Sequence, residues 1–166
     1  MNDETLQGEF LSGMGQSPDE SSEGTAQYVA FVVGDQTYCV DIMSVREIRA
    51  WTGTTSLPNA AEFVRGVINL RGVVVPIIDL RIRFGQGATD PTKSHVVVIV
   101  SIEGKLNGML VDGVSDILTI KETEVMPIPD TGSETENPYL AGLISMNEEM
   151  VAMIALDRLI EKVVVH

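Results

Sequence analysis

Four residues return at one spacing: Phe63, Gly66, Ile78 and Leu80 are answered by Tyr139, Gly142, Ile154 and Leu156, each 76 positions on. An earlier block recurs too, since Val45-Arg46-Glu47-Ile48 is followed by Val114-Ser115-Asp116-Ile117 at an offset of 69. A period near 70 residues is too long for a solenoid unit and reads as a duplicated small β module. One such module buries only about 60% of its unfolded surface and is marginal alone, so the two are expected to share a core.

Local patterns fill in the module. Residues 28–33 are apolar and β-branched, Gly34-Asp35-Gln36 makes a turn, and residues 37–40 return as a second strand. Asp41 can cap a short helical turn containing Met43 and Val45, after which Glu47, Ile48 and Trp51 lead into extended chain. Pro58 suits the start of a brief helix over 59–63. Strands at 66–70 and 73–78 flank an Asn69-Leu70-Arg71-Gly72 turn, Asp79 offers a cap for a short helix through Phe84, and 85–92 is a loop. From His95 the first hairpin is repeated as 96–102 and 106–111 around Glu103-Gly104-Lys105. Short strands with frequent turn signals favour small barrels over an open parallel sheet.

Charge narrows the function. Net charge is −13, with 11 Lys and Arg against 24 Asp and Glu, which opposes nucleic-acid binding because phosphate contacts rest on clustered cations. Residues 1–27 hold six acids and no base, and read as a disordered acidic tail before a folded unit at 28–161 with copies near 28–94 and 95–161, strands exchanged or not. Between Arg46 and Arg83 the sign reverses, with six arginines against three acids. One cysteine, no signal-peptide pattern and no apolar run of membrane-spanning length favour a soluble cytosolic protein.

Catalytic groups are scarce. His95 opens an apolar strand and His166 is the last residue; Cys39 reads as a buried inert thiol. The pairs Asp112/Asp116 and Glu122/Glu124 sit at turns, where solvated or turn-forming carboxylates are the ordinary reading, and no histidine lies near enough in sequence to complete a metal set. No cofactor, metal or catalytic residue is expected. Met146, Met150 and Met153 lie in or beside strands, where core packing is the default. Arg71 differs: a turn arginine between two very apolar strands can pair with a partner's carboxylate while the rim excludes water.

These segments, above all Phe63-Val64-Arg65-Gly66-Val67-Ile68-Asn69-Leu70-Arg71-Gly72, together with Tyr28-Val29-Ala30-Phe31, Met109 to Ile117 and Tyr139-Leu140-Ala141-Gly142-Leu143, resemble the CheW family of chemotaxis coupling proteins. The resemblance covers residues 28–161; the acidic tail and the polar loop at 130–137 have no counterpart in the shared pattern. It implies a mainly β fold of two intertwined SH3-like five-stranded barrels with a few short helices. It further implies a non-enzymatic adaptor joining the regulatory domain of the histidine kinase CheA to the cytoplasmic tip of methyl-accepting chemoreceptors. Such an adaptor is cytoplasmic, recruited to receptor arrays, not inserted in the membrane, and a monomer outside arrays. Val45, Glu47, Ile48, Gly66, Arg71, Val97, Gly108 and Val114 match positions implicated in receptor or kinase contact. Glu47 and Arg71 can form charge-assisted hydrogen bonds, Val45, Ile48 and Val114 can supply apolar contact, and Gly66 and Gly108 can serve backbone geometry. A small barrel binding oligonucleotide or a small ligand is the contrasting reading, disfavoured by charge and by only eight aromatic residues. A carboxylate-based enzyme is disfavoured further.

Overall fold

The computed structural model describes residues 24–129 and 138–161. Residues 1–23 of the acidic tail and the loop at 130–137 lie outside the described residues. Ten strands form two five-stranded sheets: β1 (Thr25–Val33), β2 (Gln36–Asp41), β3 (Val45–Ala50), β4 (Val64–Leu70), β5 (Val73–Asp79), β6 (Val96–Ile102), β7 (Lys105–Val111), β8 (Gly113–Lys121), β9 (Leu140–Met146) and β10 (Glu149–Ile154). Two single-turn helices follow β5 and β10, namely α1 (Leu80–Arg83) and α2 (Leu156–Leu159).

Strand order is β8-β1-β2-β10-β9 in one sheet and β3-β6-β7-β5-β4 in the other. Replacing each strand by its counterpart in the other copy, β1 by β6 through β5 by β10, converts one order into the other. Sheet membership therefore cuts across the chain at 94/95: each copy keeps its first hairpin in one sheet and sends its last three strands to the other. Irregularities recur at the same places. Arg46 is the extra residue where β3 pairs β6, and Ser115 where β8 pairs β1; Arg65 and Ala141 bulge equivalently in β4 and β9. Beyond β3 the chain returns at Thr55 to bridge Val67 of β4, and beyond β8 it returns at Met126 to bridge Leu143 of β9. Each bridge links the chain after one edge strand to the opposite edge, curling the sheet into a barrel.

Strand periodicity distributes the apolar residues among three cores. Val29, Phe31 and Val33 of β1 face Val98 and Val100 of β6, Met109 and Val111 of β7, and Leu80 and Leu159 of the helices, so the first hairpins of the two copies meet in a central core. The alternate residues line the barrels: Ala30, Cys39, Leu118, Ile120, Ile144 and Val151 in one, Leu70, Val75, Ile77, Val97, Ile99 and Leu110 in the other. Arg83 ties the copies together. Its guanidinium carbon lies 3.9 Å from the Phe63 ring centroid and 4.6 Å from that of Tyr139, the equivalent ring of the second copy. Its nitrogens donate to the carbonyls of Leu159 (2.9 Å) and Glu161 (2.7 Å), satisfying the exposed end of α2.

Both aspartate caps form as their positions suggest: Asp41 accepts from the Met43 amide at 2.9 Å and Asp79 from the Arg81 amide at 3.1 Å. Three local expectations differ. The 59–63 segment is a pair of turns instead of a helix, because Asn59 takes φ 64° directly after Pro58 and cannot continue a right-handed helix. The first helical turn stops at Ser44, and Val45 already belongs to β3. Strand β1 begins at Thr25, inside the stretch read as tail, because residues 25–27 find backbone partners in Lys121, Ile120 and Thr119 of β8. Polar Thr and Gln are compatible with such an edge once a ladder is available.

Candidate functional site

The turn between β4 and β5 has two central residues, Arg71 (φ 52°) and Gly72 (φ 92°), and the Asn69 side chain accepts a 2.7 Å hydrogen bond from the Gly72 amide. Two successive positive φ values make the tight hairpin whose twist matches its strands. Barrel curling brings this turn to β3, although β3 and β4 are opposite edges of their sheet. Arg71 Nη2 there donates to Glu47 Oε1 at 2.6 Å, and Arg49 Nη1 approaches Glu47 Oε2 at 3.5 Å. Arg71 nevertheless remains 71% exposed. One carboxylate thus organises two arginines, and Arg46 projects from the same strand into solvent.

Exposed apolar side chains occur on the same strands as the charges. Ile48, next to Glu47, is 45% exposed; Val73 and Val74, immediately after the turn, are exposed as well, Val74 at 56%. A cleft of about 360 Å³ opens beside them, bordered by Arg49, Trp51, Thr54, Val67 and Asn69. Well-oriented cations, one screened acid and exposed branched side chains suit a protein partner bearing carboxylates and apolar anchors.

The hydrogen bond from Arg71 holds the Glu47 carboxyl below its ordinary 4.5, with the charges of Arg71 and Arg49 acting in the same direction and partial desolvation opposing. A depressed value in the folded state means that the stabilisation is complete above the ordinary carboxylate range and is lost as pH falls through the depressed value. The pair is therefore intact at neutral pH. Carbon-detected NMR titration of the Glu47 carboxyl should give a midpoint below 4.5, moving upward in Arg71→Gln; an unmoved midpoint would show that the hydrogen bond is not held in solution.

The eight residues singled out in the sequence separate into three groups. Glu47 and Arg71 form the ion pair just described, while Ile48 is exposed on the opposite face of β3, since it pairs with Val98 of the central core and Glu47 with Ile99 of the barrel core. Val97, Gly108 and Gly66 are interior: Val97 is 3% exposed and lines the floor of the cleft, and a Cβ on Gly108 would fall 2.8 Å from Val97 Cγ1 and 2.5 Å from Ile77 Cδ1. Strand alternation turns Val97 and Gly108 toward the barrel interior, and Val97 reaches the surface only through the cleft. Val45 is half-buried against the central core. Val114, its counterpart, is exposed on β8 in the other sheet and does not join the Arg71 group.

Several exposed residues escaped sequence reasoning. The sequence places Val73 and Val74 only in an apolar strand and assigns Met150 to the core, yet Met150 is 42% exposed; Met146 and Met153 do pack against the barrel core. The repeat carried a signal, since Met150 stands 76 positions after Val74 and Ile117 stands 69 after Ile48, and all four are exposed. Elsewhere the titratable groups serve structure. Asp112 accepts from the Gly34 amide at 3.0 Å and meets His95 Nε2 at 3.4 Å, while His95 Nδ1 accepts from the Thr92 amide. Asp116 accepts from the Ile117 amide, and burial pushes the Cys39 thiol up to about 12.

A CheW-like domain model matches residues 27–164. The chain belongs to the CheW-like family. It is 44% identical to a probable chemotaxis protein CheW from Rhizobium etli, over 83% of this chain and 89% of that one, and 43% identical to the chemotaxis protein CheW of Rhizobium meliloti, over 82% and 88%. Among solved structures, the scaffolding protein TtCheW from Thermoanaerobacter tengcongensis superposes with a TM-score of 0.77 at 30% identity, covering 88% of this chain and 94% of that one. All eight residues lie inside the span matched to the CheW-like domain, while the acid-rich residues 1–26 precede it.

Proposed function

We propose that this CheW-like chain is a non-catalytic adaptor that couples methyl-accepting chemoreceptors to the histidine kinase CheA, transmitting receptor state to kinase activity. The observation that carries the reading is the Arg71–Glu47 pair, held at 2.6 Å at the tip of an exposed hairpin whose second strand opens with the exposed Val73 and Val74. A cation pre-oriented by its own neighbour forms an intermolecular hydrogen bond at less entropic cost than a free arginine. The regulatory domain of CheA and the cytoplasmic tip of the receptor are the partners, and Glu47, Ile48 and Arg71 the direct contacts. Val97, Gly108 and Gly66 keep the barrel in shape, and Val114 offers apolar contact on the second sheet. The protein works in the cytoplasm at membrane-associated arrays and is a monomer outside them. Among the described residues no helix is long and apolar enough to cross a membrane.

Reconstituted receptor-stimulated autophosphorylation of the kinase tests this. Arg71→Glu should weaken ternary assembly at least about tenfold, as reversing a contact charge does, while the thermal midpoint changes little because the pair is exposed. The double exchange Glu47→Arg with Arg71→Glu restores an internal pair with reversed polarity and should stay defective in assembly. Full kinase activation by Arg71→Glu would remove this surface from the proposal. No stimulation by the unaltered protein with any receptor and kinase would remove the adaptor reading.

A further inference from the structure

Along the seam between β3 and β4, a backbone bridge joins Thr55 to Val67 at one end and the Glu47–Arg71 pair spans the other. Between them lies the cleft of about 360 Å³, with buried Val97 on its floor. Both of its walls present main-chain groups. Trp51 N–H bonds the His95 carbonyl at 3.0 Å, so the ladder to β6 takes Glu47, Arg49 and Trp51, and the N–H and C=O of Ala50 point away from it. Across the seam, Val67 bonds Thr55 through its N–H at 2.8 Å and its C=O at 2.9 Å, which sets the same two groups of Asn69 along the free edge of β4. No described residue pairs with these four groups, and Ala50 and Asn69 are both exposed. The second barrel differs at the same place. Leu118 and Ile120, the counterparts of Arg49 and Trp51, are buried in its core, and β8 continues to Lys121 where β3 stops at Ala50. A guanidinium cannot fill a barrel as leucine does, so Arg49 stays at the rim with 39% of its side chain exposed, and the first seam stays open.

We propose that this cleft binds an extended acidic segment of a separate protein, added as a short strand between β3 and β4, with its main chain on Ala50 and Asn69 and a carboxylate on Arg49. A peptide main chain offers a donor and an acceptor to each side, which is the pattern that both edges leave open. Added strands draw affinity from such bonds and specificity from alternate side chains. A helix cannot answer these edges, because its own N–H and C=O groups are bonded internally. Charge selects the acid: Arg49 and Arg71 share the single acid Glu47, so the mouth of the cleft keeps a net positive charge. Thr52, Thr54 and Thr55 add hydroxyl-bearing residues to the lining, which suits a polar backbone better than a large apolar side chain. The inference goes beyond the adaptor reading, since it names the conformation and charge of a ligand without requiring kinase or receptor to supply it.

NMR titration of the full chain tests the site, with an acetylated, amidated pentapeptide of alternating Glu and Thr as the probe. At millimolar peptide and low salt, the amide protons of Ala50 and Asn69 should move downfield and exchange more slowly with solvent. Those of Thr119 and Ser145, their counterparts in the second barrel, should stay in place. The same peptide N-methylated at every amide cannot donate and should leave all four signals unmoved. Arg49→Gln should weaken the probe about threefold, the scale of one exposed charge pair, whereas a Gln/Thr peptide should respond equally to both proteins. Unmoved Ala50 and Asn69 signals overturn the proposal, as does equal movement at Thr119 and Ser145. Movement that survives N-methylation reads charge attraction alone and overturns it, and so does an Arg49→Gln protein that binds the probe as tightly as the unaltered one. Slow exchange of the two amides before any peptide is added also overturns it: dependence on protein concentration assigns the seam to a second copy, and independence to the chain itself.

Discussion

Asp79→Ala should destabilise the protein by about 3–5 kcal/mol, the loss expected when one member of a buried ion pair is removed and its partners are stranded. Asp79 ends β5 with no exposed surface. Its Oδ2 accepts from Arg65 Nη1 and the Thr89 amide, both at 2.9 Å, and its Oδ1 from Thr89 Oγ1 at 2.6 Å and the Arg81 amide at 3.1 Å. Alanine leaves a part-buried guanidinium whose Nε already lacks a partner, removes two of the bonds that hold Thr89 while the one from Arg65 Nη1 to its carbonyl remains, and uncaps α1. Against a typical total of about 5–15 kcal/mol, that is a large share of the stability. Urea unfolding followed by Trp51, which stacks 5.5 Å from the Arg65 guanidinium, reads the loss directly. Asp79→Asn, which keeps the shape and one acceptor oxygen, should lose less. An Asp79→Ala deficit below about 1 kcal/mol would show the network to be no better than a surface pair.

Asp79 also shows how far local chemistry is legible. Its role as a helix cap follows from its place before an apolar turn; its four simultaneous bonds do not, because Arg65 and Thr89 lie 14 and 10 residues away and are brought in by the bulge in β4 and the fold of the loop. The same divide runs through the site. Glu47 and Arg71 could each be singled out as groups able to make charged hydrogen bonds, but their bond to each other spans 24 residues and the closure of a barrel. Matching to a family pattern identified Val97 and Gly108 without saying which way they face, and strand alternation turns both inward. Duplication was readable from spacing, whereas exchange of three strands between the copies depends on contacts far apart in sequence. The Arg83 sandwich belongs to that class too: its two rings sit at equivalent positions, and only the meeting of the copies places one guanidinium between them.

Equivalent backbones with unequal side chains argue for divided labour. Where the first copy has Arg46, Arg49 and Arg71, the second has Ser115, Leu118 and Asn147 at the matching offsets, and Glu148 takes the place of Gly72. Exposed apolar residues are retained at both sites, Ile48 and Val74 in one, Ile117 and Met150 in the other. Each barrel therefore carries exposed apolar residues at matching positions, and only the first has arginines at the matching offsets.

Gly66→Ala should cost about 3 kcal/mol or more, the range of a strained backbone combined with overpacking, and its counterpart Gly142→Ala should cost far less. Gly66 sits at the bulge of β4 with φ 151°, a region L residues rarely adopt, and a Cβ there would be driven into the backbone carbonyl of Thr55, the residue whose bridge to Val67 closes the barrel. Backbone engaged in that bridge cannot retreat without opening the seam. A Cβ on Gly142 would meet the Val125 side chain at 2.8 Å and the Met126 carbonyl oxygen at 3.1 Å, with φ outside the positive range. A valine methyl can rotate away, so the cost there is about 1 kcal/mol. Denaturant midpoints of the two variants give the comparison. Equal losses would mean that Gly66 carries no special strain. A stable Gly66→Ala protein that still fails to assemble with kinase and receptor would return Gly66 to the contact surface, against its buried position at the seam that holds Glu47 beside Arg71.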